Sequence, residues 1–173
     1  EHTSRGLGDV YKRQGDAAKA LIDQGADIIT QHTDSPAPLQ VAENRGVKGF
    51  GQASDMIKFA PKAQLSAIVN NWGAYYVERT KAMMNGSWKS QDVWYGLKEG
   101  MVEMAPYTNM SSDAAALAKK TEEAIRSGNL HPFTGPIKDQ SGKLVVGAGK
   151  IADAGMLLGM NFYVEGVQGS LPK

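Results

Sequence analysis

Cysteine is absent from the 173 residues. That excludes a disulfide scaffold, thiolate metal centres and cysteine nucleophiles. Histidine is scarce: three residues are too few for a multi-histidine metal centre. An excess of one charge is also lacking. The net charge is +1, so there is neither a polybasic footprint for nucleic acid nor an acidic tail. No apolar run approaches the about 20 residues a membrane helix needs, and no signal-peptide pattern opens the chain. Gly-rich phosphate loops, nucleophile elbows and metal-ligand spacings are missing too. These absences disfavour an enzyme, and neither a metal nor a cofactor is expected. What is present is ordinary: 42% hydrophobic and 21% charged residues, a globular balance at the length of one domain, with enough chain to bury a core.

The first 14 residues, EHTSRGLGDVYKRQ, stand apart. They are polar, basic in their second half, and show no helical or strand period. The stretch resembles translated adapter read-through at the end of an assembled fragment. Residues 1–14 are therefore read as a non-native or disordered leader, and residues 15–173 as the domain. On that reading the domain is the C-terminal part of a longer protein, and its natural start and targeting signal lie outside this sequence.

From Gly15 the pattern alternates. Gly15 to Gly25 reads as a helix, with Ala17, Ala18, Leu21 and Ile22 on one face and Gly25 as a left-handed cap. Ala26 to Gln31 reads as a buried strand, Pro38 to Asn44 as a helix, Val47 to Gly51 as a second strand and Leu65 to Asn70 as a third. Such alternation predicts an α/β fold with a parallel sheet and covering helices. Tyr75 to Asn85 predicts a helix, and Asp92 to Leu97 and Met101 to Met104 are candidate strands around Gly100. Ser112 to Ser127 predicts a helix capped by Ser111 or Ser112, with Ala114, Leu117, Ala124 and Ile125 as its apolar stripe. Asp139 to Gly142 marks a hairpin between Phe133–Lys138 and Lys143–Val146.

In open α/β sheets, ligands bind beyond the carboxyl ends of the strands. Three loops follow the three clearest strands. His32-Thr33-Asp34-Ser35 offers hydroxyls and a carboxylate to a polar ligand, or else Asp34 or Ser35 caps the next helix. In Gln52-Ala53-Ser54-Asp55-Met56, Asp55 accepts from ligand N–H or O–H groups, or else shapes a turn. Asn71 beside Trp72 suits a flat heteroaromatic ligand, with the indole stacking and the amide donating and accepting; the alternative is a core tryptophan. His32 has no nucleophile placed with it. Trp88, Trp94 and Tyr95 read as packing or rim residues, and His131, before Pro132, as a turn residue.

Three runs carry a resemblance: ALIDQGADIITQHTDSPAPLQVAENRGV (20–47), SDMIKFAPKAQLSAIVNNWGAYYVERTKAMMNGSWKSQD (54–92) and HPFTGPIKDQSGK (131–143). Over residues 15–173 the chain resembles the C-terminal half of the basic membrane protein family, also called PnrA-like, of ABC-transporter substrate-binding proteins. The resemblance implies a type I periplasmic-binding fold, here mostly the C-terminal Rossmann-like lobe plus terminal segments near the hinge. It also implies a purine nucleobase or nucleoside held between two lobes, and delivery to an ABC permease. The expected protein is a monomer that binds no nucleic acid, and is periplasmic or lipid-anchored outside the cytoplasmic membrane. The alternative on the same fold is a ligand-sensing ectodomain or regulator. The residues expected to face the ligand are Thr33, Asp34, Asp55, Asn71 and Trp72, with Ser35 and Ser54 as second choices.

The chain departs from the family pattern. Nucleoside-binding members typically carry G-x-D-x-D after the second strand and a Lys at the end of the third, both gripping ribose hydroxyls. Here Gly51-Gln52-Ala53-Ser54-Asp55 keeps only the second Asp, and the Lys position falls on Asn70. Losing both ribose partners predicts a preference for a free base such as adenine over a nucleoside.

Overall fold

The computed structural model describes residues 7–171, and a boundary between Glu122 and Glu123 divides the chain into two compact units. Residues 1–6 of the leader lie outside the described residues. The first helix, α1, spans Leu7–Asp23, so it starts well before the Gly15 expected from periodicity. The physical reason lies on its packed face: Gln14 is half-buried, and Gly15 and Ala18 are buried, so the helical period runs back across the expected boundary. Gly25 has φ +99, the left-handed position that lets the chain turn from α1 into the sheet.

The first unit holds a four-stranded sheet in the order β1-β2-β3-β4. Its strands are β1 (Ile28–Ile29), β2 (Lys48–Ala53), β3 (Gln64–Asn70) and β4 (Val102–Met104). The first three are parallel, with Ile29 opposite Gly49 and Gly51 opposite Ala67. The fourth runs antiparallel, Asn70 facing Val102. The parallel sheet expected from the first strands is present as β1, β2 and β3, and β4 makes the sheet as a whole mixed. The chain reaches β4 after α3 (Trp72–Met84) and a long coil, not after a crossover that would restore the parallel direction.

The core lies between the sheet and the first two helices. It gathers Ala18 of α1, Ile29 of β1, and Leu39 and Ala42 of α2 (Ala37–Asn44), with Met56, Ala60 and Ala63 beyond β2. Pro38 is tolerated in α2 because the first turn needs no intrahelical N–H donor. Gly49 permits a close helix-to-sheet approach in this core: a Cβ there would sit 2.7 Å from Leu39 Cδ1 and 2.9 Å from the Ile29 carbonyl. The second half of the unit is tied to β3 by polar groups. Ser66 Oγ donates to the Ala105 carbonyl at 2.7 Å, and Thr108 Oγ1 to the Gln64 carbonyl at 2.6 Å. The Asn109 amide donates to the carbonyls of Pro61 and Gln64.

Two further expectations are corrected. Asp92 to Leu97 forms no strand. Its β-favouring Val93, Trp94 and Tyr95 find no partner strand, since Met104, Glu103 and Val102 already fill the pairing edge of β3. The α4 helix, Ser112–Arg126, has the expected cap, with Ser111 Oγ accepting the Ala114 N–H at 3.2 Å. Its expected stripe is not core, however. No residue of α4 is buried, and Leu117 is exposed.

The second unit carries the expected hairpin, as β5 (Ile137–Lys138) and β6 (Leu144–Val146), antiparallel. Asp139 Oδ1 accepts from the Ser141 hydroxyl and from the N–H groups of Ser141 and Lys143, which closes the turn. A short helix, α5 (Ala154–Leu158), is capped by Asp153 accepting from the Met156 N–H. Among the described residues no helix is long and apolar enough to cross a membrane.

Candidate functional site

Because β1, β2 and β3 are parallel neighbours, the loops after their carboxyl ends emerge on one edge of the sheet. Those loops carry all five residues singled out by the sequence.

The loop after β1 is organised by Gln31. Its Nε2 donates to the Ser35 carbonyl at 2.7 Å and to the carbonyl and hydroxyl of Thr33 at 3.1 and 3.2 Å. Its Oε1 is buried without a hydrogen-bond partner. Thr33 is half-buried inside this network. Neither Asp34 nor Ser35 is the N-cap of α2, which is Pro36 with no side-chain bond; Ser35 is buried one residue earlier, and its Oγ accepts the Ala37 N–H at 3.0 Å. Asp34 is exposed and makes no hydrogen bond among the described residues, so its whole carboxylate is available.

The loop after β2 turns at Ala53, a non-glycine residue with φ +63. Its methyl group offers no acceptor. Ser54 and Asp55 are exposed. Asp55 Oδ1 accepts from the Ile57 N–H at 3.0 Å and from Gln64 Nε2 at 2.7 Å. The turn-shaping role and an outward carboxylate therefore coexist in one side chain. Sequence reasoning missed Gln64, which is buried at 1% exposure. The available signal was a long amide opening an otherwise small or apolar strand, a position where polar groups need a dedicated partner.

The third loop is short, because Trp72 already begins α3. Asn71 Nδ2 donates to the Gly100 carbonyl at 3.2 Å and to Glu103 Oε1 at 3.0 Å. Its donors therefore hold the segment around β4, and Oδ1 is what it can offer a ligand. Trp72 is 47% exposed and stacks on Tyr76 with ring centroids 5.9 Å apart. It is not a core tryptophan. Asn70, the last residue of β3, is exposed.

A shallow cavity of about 200 Å³ lies beside this loop, lined by Asn71, Tyr75, Glu78, Tyr95, Glu99 and Met101 among others. Tyr75 and Tyr95 meet edge-to-face at 6.2 Å. Arg79 hydrogen-bonds Glu78 and holds its carboxyl below the usual range. Of the five expected residues only Asn71 lines this cavity; Thr33, Asp34, Asp55 and Trp72 do not. Trp88 and Trp94 are exposed, as is Tyr95. Among the described residues no group of three or more His, Asp or Glu side chains could hold a metal.

Comparison with known proteins places this geometry in context. The family model described as "ABC transporter substrate-binding protein PnrA-like" matches residues 7–131. A purine-binding protein of Brucella abortus is 62% identical over 161 residues, covering 93% of this chain and 46% of the relative. The chain thus spans less than half the length of that relative. Among solved structures, a transcriptional activator of the comK gene from Bacillus halodurans superposes with TM-score 0.62 at 14% identity, over 70% of this chain and 44% of that one. A solute-binding protein of an ABC transporter system from Conexibacter woesei gives TM-score 0.53 at 20% identity, over 75% and 44%. At these identities the structural likeness is one of fold alone.

Proposed function

This chain belongs to the PnrA-like family of ABC transporter substrate-binding proteins, and from that premise we propose that it forms part of the purine-binding site of an importer's solute-binding component. The relative that shares 62% of its residues is named for purine binding. The observation that carries the reading is the common sheet edge. Three adjacent loops present two exposed carboxylates, an amide oxygen and an exposed indole at the carboxyl ends of parallel strands.

Each group has a role suited to a flat nitrogen heterocycle. Trp72 supplies a stacking surface. Asp34 and Asp55 accept from ring or exocyclic N–H groups, Asn71 accepts through Oδ1, and Thr33 adds a hydroxyl contact. No bond of the ligand is made or broken. Binding stabilises a closed arrangement of two lobes over an open one, because the ligand has differential contacts in the two states. The loaded protein then presents its cargo to a permease on the outer side of the cytoplasmic membrane. A free base such as adenine is favoured over a nucleoside: Ala53 offers no acceptor and Asn70 no cation where ribose-binding members place an Asp and a Lys.

The test is a thermal-shift panel on the full-length protein with nucleobases, nucleosides, sugars and amino acids. A ligand at 100 times its Kd stabilises the native state by about 2.7 kcal/mol, enough to raise Tm by several degrees. The expected result is a shift with adenine exceeding that with adenosine. No shift with any purine overturns the reading.

A further inference from the structure

Gln64 is almost wholly buried at the start of β3, yet its amide reaches the loop that carries Asp55. Its Oε1 accepts the Met56 N–H at 3.1 Å, and its Nε2 donates to Asp55 Oδ1 at 2.7 Å. The two bonds fix the amide's orientation. Flipped, it would set NH2 against an N–H and a carbonyl against a carboxylate. Gly51 makes room for it: a Cβ there would lie 3.0 Å from Gln64 Oε1 and 2.9 Å from Ala67 Cβ.

The consequence for Asp55 follows from counting lone pairs. A carboxylate oxygen has about two lone-pair sites, so a third donor, as at Asp139 Oδ1, has to share one of them. Oδ1 has both filled, by the Ile57 N–H at 3.0 Å and by Gln64. Oδ2 makes no hydrogen bond among the described residues, and the residue is exposed. Clamping two neighbouring hydroxyls requires both oxygens, each accepting one O–H. Asp55 has one oxygen to give.

We infer that Gln64 is a positioning and specificity-determining residue: by saturating Oδ1 of Asp55 it makes that carboxylate a single-oxygen acceptor, suited to one N–H edge of a heterocycle and unsuited to a vicinal diol. This rests on Asp55 contacting the ligand, as proposed above. It goes beyond that reading by locating selectivity in a buried residue that does not touch the ligand. It also depends neither on Ala53 nor on Asn70.

The experiment measures Kd for adenine and adenosine by titration calorimetry on the full-length protein and two variants. The wild type is expected to prefer adenine. In Gln64→Met, which keeps volume and removes the amide, Oδ1 regains an acceptor site. The adenine-to-adenosine preference then narrows by roughly threefold to tenfold, the worth of about one hydrogen bond. A merely structural role weakens both ligands alike and leaves the ratio unchanged, which overturns the inference. Asp55→Asn keeps an oxygen for Ile57 and Gln64 and turns an NH2 outward in place of Oδ2. It is expected to lose adenine affinity roughly tenfold with Tm of the ligand-free protein unchanged. Unaltered affinity in this variant overturns the inference even if Gln64→Met does not fold. A wild type that prefers adenosine overturns it and leaves the proposed function standing, whereas a wild type that binds neither purine removes both.

Discussion

Glu43, near the end of α2, accepts the backbone N–H of Ala63 at 2.8 Å with the same oxygen that takes the Lys62 N–H at 2.7 Å. One carboxylate oxygen therefore supplies partners to two N–H groups just ahead of β3, and it fixes where that strand begins relative to the helix. Gln64, the next residue, then falls where its amide meets Asp55.

Removing that carboxylate takes the acceptor from the Lys62 N–H and leaves the Ala63 N–H, in a buried residue, with only its longer bond to the Ala60 carbonyl at 3.2 Å. Glu43→Ala is expected to destabilise the protein by about 1–3 kcal/mol, while Glu43→Gln, which keeps an acceptor oxygen, costs less. Urea unfolding followed by circular dichroism checks both. Equal midpoints for wild type and Glu43→Ala would show the contact to be energetically idle.

Gly49 marks a close helix-to-sheet approach in the core. In Gly49→Ala the added methyl meets Leu39 Cδ1 and the Ile29 carbonyl, and the carbonyl cannot move without breaking β1 pairing. Overpacking of this kind costs about 1–3 kcal/mol. A Gly49→Ala, Leu39→Val double variant should recover part of the loss, measured as Tm. No recovery would place the strain on the Ile29 carbonyl alone.

Asp34 is exposed and unbonded among the described residues, so its removal separates binding from stability. Asp34→Ala is expected to change unfolding free energy by no more than about 0.5 kcal/mol while reducing the Tm shift produced by adenine. An undiminished shift would remove Asp34 from the site.

In the second unit, the Ser141 hydroxyl, then the Lys143 and Ser141 N–H groups, hold the Asp139 carboxyl below the usual aspartate range. A carboxyl depressed on folding stabilises the native turn fully above its unfolded value. That stabilisation is lost as pH falls through the lower folded value. Protection of the Ser141 and Lys143 amides, taken as exchange relative to the intrinsic rate at each pH, should therefore fall on acidification below the ordinary aspartate range. Asp139→Asn should flatten that dependence, and a pH-independent wild type would refute the assignment.

The parts of this fold that were legible in the sequence are those where local pattern and tertiary role agree. The apolar runs around Ile29, Phe50 and Ala67 are bounded by polar loops, and they form the three parallel strands. Gly25 takes the positive φ its position predicted. Where pairing decides, the sequence misleads: Val93-Trp94-Tyr95 has strand propensity and no strand to join. The antiparallel course of β4 is likewise a property of the path between elements, which composition does not encode. The candidate site was legible residue by residue, because strand ends can be located. Its wiring was not. Gln64 and Asp55 are nine positions apart, and the turn at Ala53 and the missing Cβ at Gly51 let the amide meet the carboxylate.

The order β1-β2-β3 also acts as a ruler. Adjacent strands in a sheet lie about 4.8 Å apart, so the backbones from which the first and third loops depart are separated by roughly 10 Å. Asp34 follows the first of these strands, Asp55 the second and Trp72 the third. A guest that engages all three must have its hydrogen-bonding edge and its stacking face distributed along one line of that length. Breadth, rather than volume, is the dimension this edge of the sheet gauges.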